Sequence, residues 1–81
     1  MGMLRIMSPQ GDNAVMWDQK QVETGDIEAL EALREAERIF EEHKGKGATA
    51  FRVKPGSAAE LLERFDPEAD QIVIVPRVQG G

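Results

Sequence analysis

Short apolar-rich runs lie toward both ends of this 81-residue chain, and a longer helical period runs through its middle. Met3–Ser8 (MLRIMS) reads as a first strand, with Leu4 and Ile6 on one face. Pro9–Asn13 is turn chemistry. Ala14–Asp18 (AVMWD) predicts a second strand, Val15 and Trp17 on one face and Ala14 and Met16 on the other, so the two runs read as a hairpin. Gln19–Gly25 is polar and reads as a loop. From Asp26 to Lys44, Ala29, Leu30, Ala32, Leu33, Ala36, Ile39 and Phe40 fall on one half of a helical wheel. That spacing predicts one long amphipathic helix, capped by Thr24 or Asp26 and ended by Gly45 and Gly47.

Ala48–Lys54 (ATAFRVK) alternates again, with Phe51 and Val53 on one face and Arg52 and Lys54 on the other. This predicts a half-buried strand. Pro55-Gly56 turns the chain. Ser57-Ala58-Ala59-Glu60 matches a capping box ahead of Leu61, Leu62 and Phe65 and predicts a short second helix. Asp66-Pro67 stops it, because Pro67 restricts the residue before it and has no N–H. Gln71–Val75 is the last strand. Ile72–Val75 is apolar on both faces, as a central strand is, and is expected to run parallel to the first. The predicted class is α+β: a mixed four-stranded sheet on one long helix, in the order ββαβ(α)β. A ferredoxin-like order needs a helix between the first two strands, and Pro9–Asn13 leaves no room for one.

This length makes one domain, read as residues 1–75 followed by a flexible tail, 76–81. The net charge is -5, from 15 acidic and 10 basic residues. That balance argues against nucleic-acid binding, where phosphate contacts dominate affinity. No apolar run approaches the ~20 residues of a membrane span, and residues 1–8 lack the apolar core of a signal peptide. The chain has no cysteine, which fits a cytoplasmic location and excludes a thiolate metal site or a cysteine nucleophile.

Few residues are placed for catalysis. His43, the only histidine, has no nucleophile or carboxylate in a defined relation to it, and it suits the negative end of the helix dipole. Gly45-Lys46-Gly47 follows a helix and precedes a strand, the reverse of a phosphate-binding loop. Asp66, Glu68 and Asp70 have the early spacing of a calcium loop. The sixth and twelfth positions of such a loop are Gln71 and Arg77, so no metal site is expected. The reading is a non-enzyme with no bound cofactor.

The end of the chain, "QIVIVPRVQGG", carries a resemblance. The element order, the size and a last strand leading into Gly80-Gly81 resemble the β-grasp, ubiquitin-like proteins. Within them, "VPRVQGG" is most similar to the tails of bacterial sulfur carriers, the thiamine sulfur carrier and the small subunit of molybdopterin synthase. The strong part covers Ile72–Gly81. The chain departs from those carriers in its longer Gln19–Gly25 segment and long helix, and in having Arg77 and Gln79 in the tail.

The resemblance implies a small carrier or modifier whose Gly81 carboxylate is activated by an E1-like adenylating enzyme. That enzyme would use ATP and Mg²⁺ and pass the activated end to a downstream sulfur acceptor or target protein. Pro76, Arg77, Val78 and Gln79 would form the tail. Pro76 cannot donate a ladder bond and would hold the tail off the sheet. Glycine lets an extended tail enter a narrow channel without a Cβ in the way.

The alternative is a non-catalytic interaction module in which the tail is an ordinary terminus. It would use the outer sheet face. Met7 and Met16 lie there if Leu4, Ile6, Val15 and Trp17 face the helix. One of the pairs Ile72/Ile74 and Val73/Val75 joins them, with Arg52 and Lys54 at the edge.

Overall fold

The computed structural model describes residues 1–8, 11 and 13–77; most of the predicted Pro9–Asn13 turn and the tail positions Val78, Gln79, Gly80 and Gly81 lie outside them. The described residues form five strands and two helices in the order β1 (Gly2–Ile6), β2 (Asn13–Trp17), α1 (Gln19–Glu23), α2 (Ile27–Gly45), β3 (Thr49–Val53), β4 (Glu60–Leu62) and β5 (Gln71–Val75). They make one mixed sheet in the order β2-β1-β5-β3-β4. Strand β5 is central, parallel to β1 and antiparallel to β3, as its two apolar faces predict. The outer pairs, β1–β2 and β3–β4, are antiparallel.

The strand alternation decides which residues meet α2. Leu4 pairs with Ile72 and Ile6 with Ile74, and all four are buried. Ala50 pairs with Ile74 and Arg52 with Ile72, so both share that face. Val15 and Trp17 extend it on β2. From α2, Ala29, Ala36 and Phe40 are buried, with Ala32, Leu33 and Ile39 half-buried beside them, so the predicted stripe is the packed face. Full burial of a Leu or Ile side chain contributes about 1.5–3 kcal/mol. In a domain of this size a few such residues are comparable to the whole net stability.

Aromatic packing closes one end of this core. Trp17 is 1% exposed, and its ring centroid lies 5.6 Å from that of Phe65, which in turn lies 5.7 Å from Phe40 in an edge-on contact. The indole Nε1–H donates to the Pro67 carbonyl at 3.0 Å, satisfying the one polar atom of a buried Trp. Gln19 Nε2 donates to the same carbonyl and to that of Ala69, fastening the start of α1 to the loop before β5.

Three sequence expectations are corrected. Gln19–Gly25 is not all loop. Asp18 caps a short helix, its side chain accepting from the Lys20 and Gln21 amides at 3.0 and 3.3 Å. With Val22 as its only apolar residue, this helix leaves no periodicity to detect.

The capped helix expected after Ser57 is absent. Glu60–Leu62 is instead a short edge strand, paired Ala50↔Leu62, Phe51↔Leu61 and Arg52↔Glu60. The sheet therefore has five strands where four were expected. Pairing with β3 and the ion pair from Arg52 to Glu60 outweigh the local capping signal.

The third correction concerns β3. Ala50 and Arg52, not Phe51 and Val53, face the helix. Their register with Ile74 and Ile72 sets the inward side, which alternation alone leaves open.

Candidate functional site

Two regions are built from residues singled out in the sequence. The first is where the chain leaves the sheet. Strand β5 ends at Val75, opposite Thr49, and Pro76 follows half-buried. Arg77 is exposed, and its aliphatic stem lies across the α2–β3 turn. A Cβ added at Gly47 would stand 3.3 Å from Arg77 Cδ. Gly47 has φ +91°, a conformation that favours glycine, and its amide donates to the Lys44 carbonyl as α2 ends. Arg77 thus lies against a turn that also carries Lys46, whose ammonium reaches Glu42 at 3.4 Å.

The second region is the outer face of the sheet. The register aligns Met16 with Met3, and Phe51 with both Val73 and Leu61. Val73 also pairs with Arg5, the one charged side chain among the strand positions on this face. Met7 (47%), Met16 (54%), Leu61 (61%) and Val75 (40%) are exposed, and Met3, Phe51, Val53 and Val73 are half-buried. Single exposed apolar side chains are ordinary, but a row crossing every strand of a sheet is not. Because Ile72 and Ile74 are buried under α2, Val73 and Val75 are the pair that joins Met7 and Met16.

Arg52 and Lys54 do not join them. Arg52 lies on the opposite face, where it reaches Asp66 Oδ2 at 2.9 Å and pairs with Glu60. The Asp66 hydrogen bond, followed by that of Glu60, raises the Arg52 guanidinium above its ordinary value. Lys54 lines the same depression, a cleft of about 360 Å³ that also includes Ser57, Glu68 and Asp70. Asp66 Oδ1 is engaged as well, accepting from the Glu68 amide at 3.0 Å. Among the described residues, no three or more His, Asp or Glu side chains are grouped to hold a metal ion.

Sequence reasoning missed Phe51, Val53 and Leu61 as parts of the outer face. The signal lies in the pairing: once Ile72 and Ile74 face inward, the register puts Ala50 and Arg52 on their side and Phe51, Val53 and Leu61 on the other.

No helix among the described residues is long and apolar enough to cross a membrane. No family model, curated protein or solved structure matches the chain.

Proposed function

We propose that this chain is a β-grasp carrier or modifier, acting as a co-substrate whose Gly81 carboxylate is activated by an E1-like adenylating partner. The observation that carries the reading is the strand order β2-β1-β5-β3-β4 with β1 and β5 parallel. The β-grasp resemblance of "VPRVQGG" calls for this arrangement, in which the last strand lies at the centre of the sheet and leads directly into the tail. Pro76 follows Val75 immediately and ends the ladder there.

The chemistry follows from the electrophile. A carboxylate resists attack until an oxygen becomes part of a good leaving group. The Gly81 carboxylate attacks the α-phosphorus of ATP and pyrophosphate leaves. A sulfide or thiolate from the partner system then adds to the Gly81 carbonyl carbon and expels AMP, giving a thiocarboxylate or a thioester. This chain contributes the tail and a docking surface, and alignment of the two reactants is the partner's task. The reading requires a free carboxylate on Gly81 in the mature protein. Deleting Gly80 and Gly81 tests it: the deletion should abolish biological activity while leaving the fold intact, and unchanged activity would refute it.

The exposed row on the outer sheet face favours a second reading, an interaction module that needs no tail chemistry. Under that reading the same deletion changes nothing, and charge placed on the face abolishes function.

A further inference from the structure

Residues 57–65 carry two incompatible signals. Ser57-Ala58-Ala59-Glu60 is a capping box, and Ala58–Phe65 (AAELLERF) holds no glycine, proline or β-branched residue. Ala, Leu, Arg and Glu head the helix scale, while Ala and Glu are depleted in strands. Yet Glu60–Leu62 is a strand of three residues at the sheet edge. We infer that this segment is a two-state switch: an edge strand while Arg52 holds Glu60, and a helix of about two turns once that grip is released. The inference does not rest on the chemistry of Gly81.

Glu60 is the part both forms need. In the strand its carboxylate pairs with Arg52. In a capping box that carboxylate accepts from the Ser57 amide, while the Ser57 hydroxyl accepts from the Glu60 amide. The Ser57 amide instead donates to the Lys54 carbonyl at 3.1 Å, so the box is unformed and Arg52 has won the carboxylate. The apolar residues favour the helix. Leu61 is 61% exposed in the strand. At helical spacing Leu61 and Leu62 stand four and three residues before Phe65 and share its face. Phe65 is seated against Trp17 and Phe40 and is an anchor for either form. A helix this short is marginal in water on its own, which is why one ion pair and a three-residue ladder are enough to hold the strand. The rest of the fold can stay in place. The segment leaves the sheet after Val53 and returns at Gln71, and these two are register partners, so its ends are fixed side by side in both forms. What changes is the edge: the strand closes β3, and the helix leaves the outer backbone groups of β3 open.

Backbone NMR of the full chain tests the switch, because Cα shifts distinguish strand, coil and helix at each residue. In the parent, residues 60–62 should show strand shifts. Arg52→Met frees Glu60 and leaves the capping box whole, so residues 58–65 should move to helical shifts. Adding Ser57→Ala to Arg52→Met should cut the ratio of helical to non-helical molecules about fivefold. Glu60→Gln removes the charge from the Arg52 pair but keeps a residue that serves the box. It should shift the balance toward helix by about two- to fivefold. Protected amides in β1 and β5 show that each variant is folded. Coil shifts at residues 58–65 in both Arg52→Met and Glu60→Gln would overturn the inference, since the strand would then merely fray. Strand shifts kept in both, or helical shifts indifferent to Ser57→Ala, would overturn it equally. Loss of β1 and β5 protection in both variants would make Arg52 a support of the whole fold and overturn it too.

Discussion

Gly2 lies directly beneath the indole of Trp17: a Cβ at residue 2 would stand 2.2 Å from Trp17 Cε2. The two are register partners at the open end of the β1–β2 hairpin. Glycine is needed there for space, since the largest side chain of the core occupies the volume its own would take.

Gly2→Ala therefore forces the indole to move, with its contact to Phe65 and its hydrogen bond to Pro67. Overpacking of this kind costs about 1–3 kcal/mol. For a domain of this size, each kcal/mol lowers Tm by roughly 4–8 °C. Thermal unfolding followed by circular dichroism should show the drop, and a Tm equal to that of the parent would contradict the packing described.

Phe40 is fully buried and joins α2 to the aromatic end of the core. Phe40→Ala should cost about 3–5 kcal/mol. A loss of that size is a large part of a small domain's stability. Urea unfolding should therefore move to a much lower midpoint, or the variant should be unfolded in buffer. A midpoint near that of the parent would place the core elsewhere.

Arg52 tethers the edge strand and the loop beyond it by pairing with Glu60 and Asp66 at once. Arg52→Met removes both ion pairs, and hydrogen exchange at residues 60–62 should speed up while β1 and β5 stay protected. Arg52→Lys should restore little, because one ammonium cannot span both carboxylates as the guanidinium fork does. Unchanged exchange in β4 would show that ladder bonds alone hold the strand.

On the solvent face of α2, Arg38 Nη2 lies 2.6 Å from Glu35 Oε1. This hydrogen bond lowers the Glu35 carboxyl below the ordinary glutamate range. A lowered folded-state value means that the carboxylate's contribution is present above the unfolded value, about 4.3, and is lost as pH falls through the folded one. Glu35→Gln should therefore lower stability slightly at neutral pH, match the parent below the folded-state value, and so flatten the acid side of the stability curve. The pair is exposed, so salt should shrink the difference. Carboxyl NMR titration of Glu35 at low salt reads the direction directly.

Much of this fold is legible in the sequence, for reasons of pattern. Helix α2, 19 residues long, has about five turns in which to display a stripe, and Ile72–Val75 has no polar face to give water. Alternation puts Leu4 and Ile6 on one face of β1 and Trp17 on one face of β2, and the structure buries all three, opposite Arg5 and the exposed Met16. Helix α1 and strand β4 were missed because each is too short to carry a period. One is specified by Asp18 as a cap, and the other by a partner strand and by Arg52. The inward side of β3 was misread because alternation separates two faces without saying which one a helix covers. Ala50 is buried in register with Ile74, in one core cluster with Phe40, and Phe51 is left beside Val73 on the outer face.

The proposed chemistry comes down to one carbon atom, and the intact mass of the protein purified from its own host tests it most directly. The account predicts a species ending at Gly81 and heavier by about 16 Da, the replacement of one carboxyl oxygen by sulfur, or else a covalent adduct through Gly81. Either should be lost when Gly80 and Gly81 are deleted. A chain that continues beyond Gly81 in the mature protein, or an unmodified Gly81 carboxylate after incubation with ATP and the host's adenylating enzymes, would contradict it.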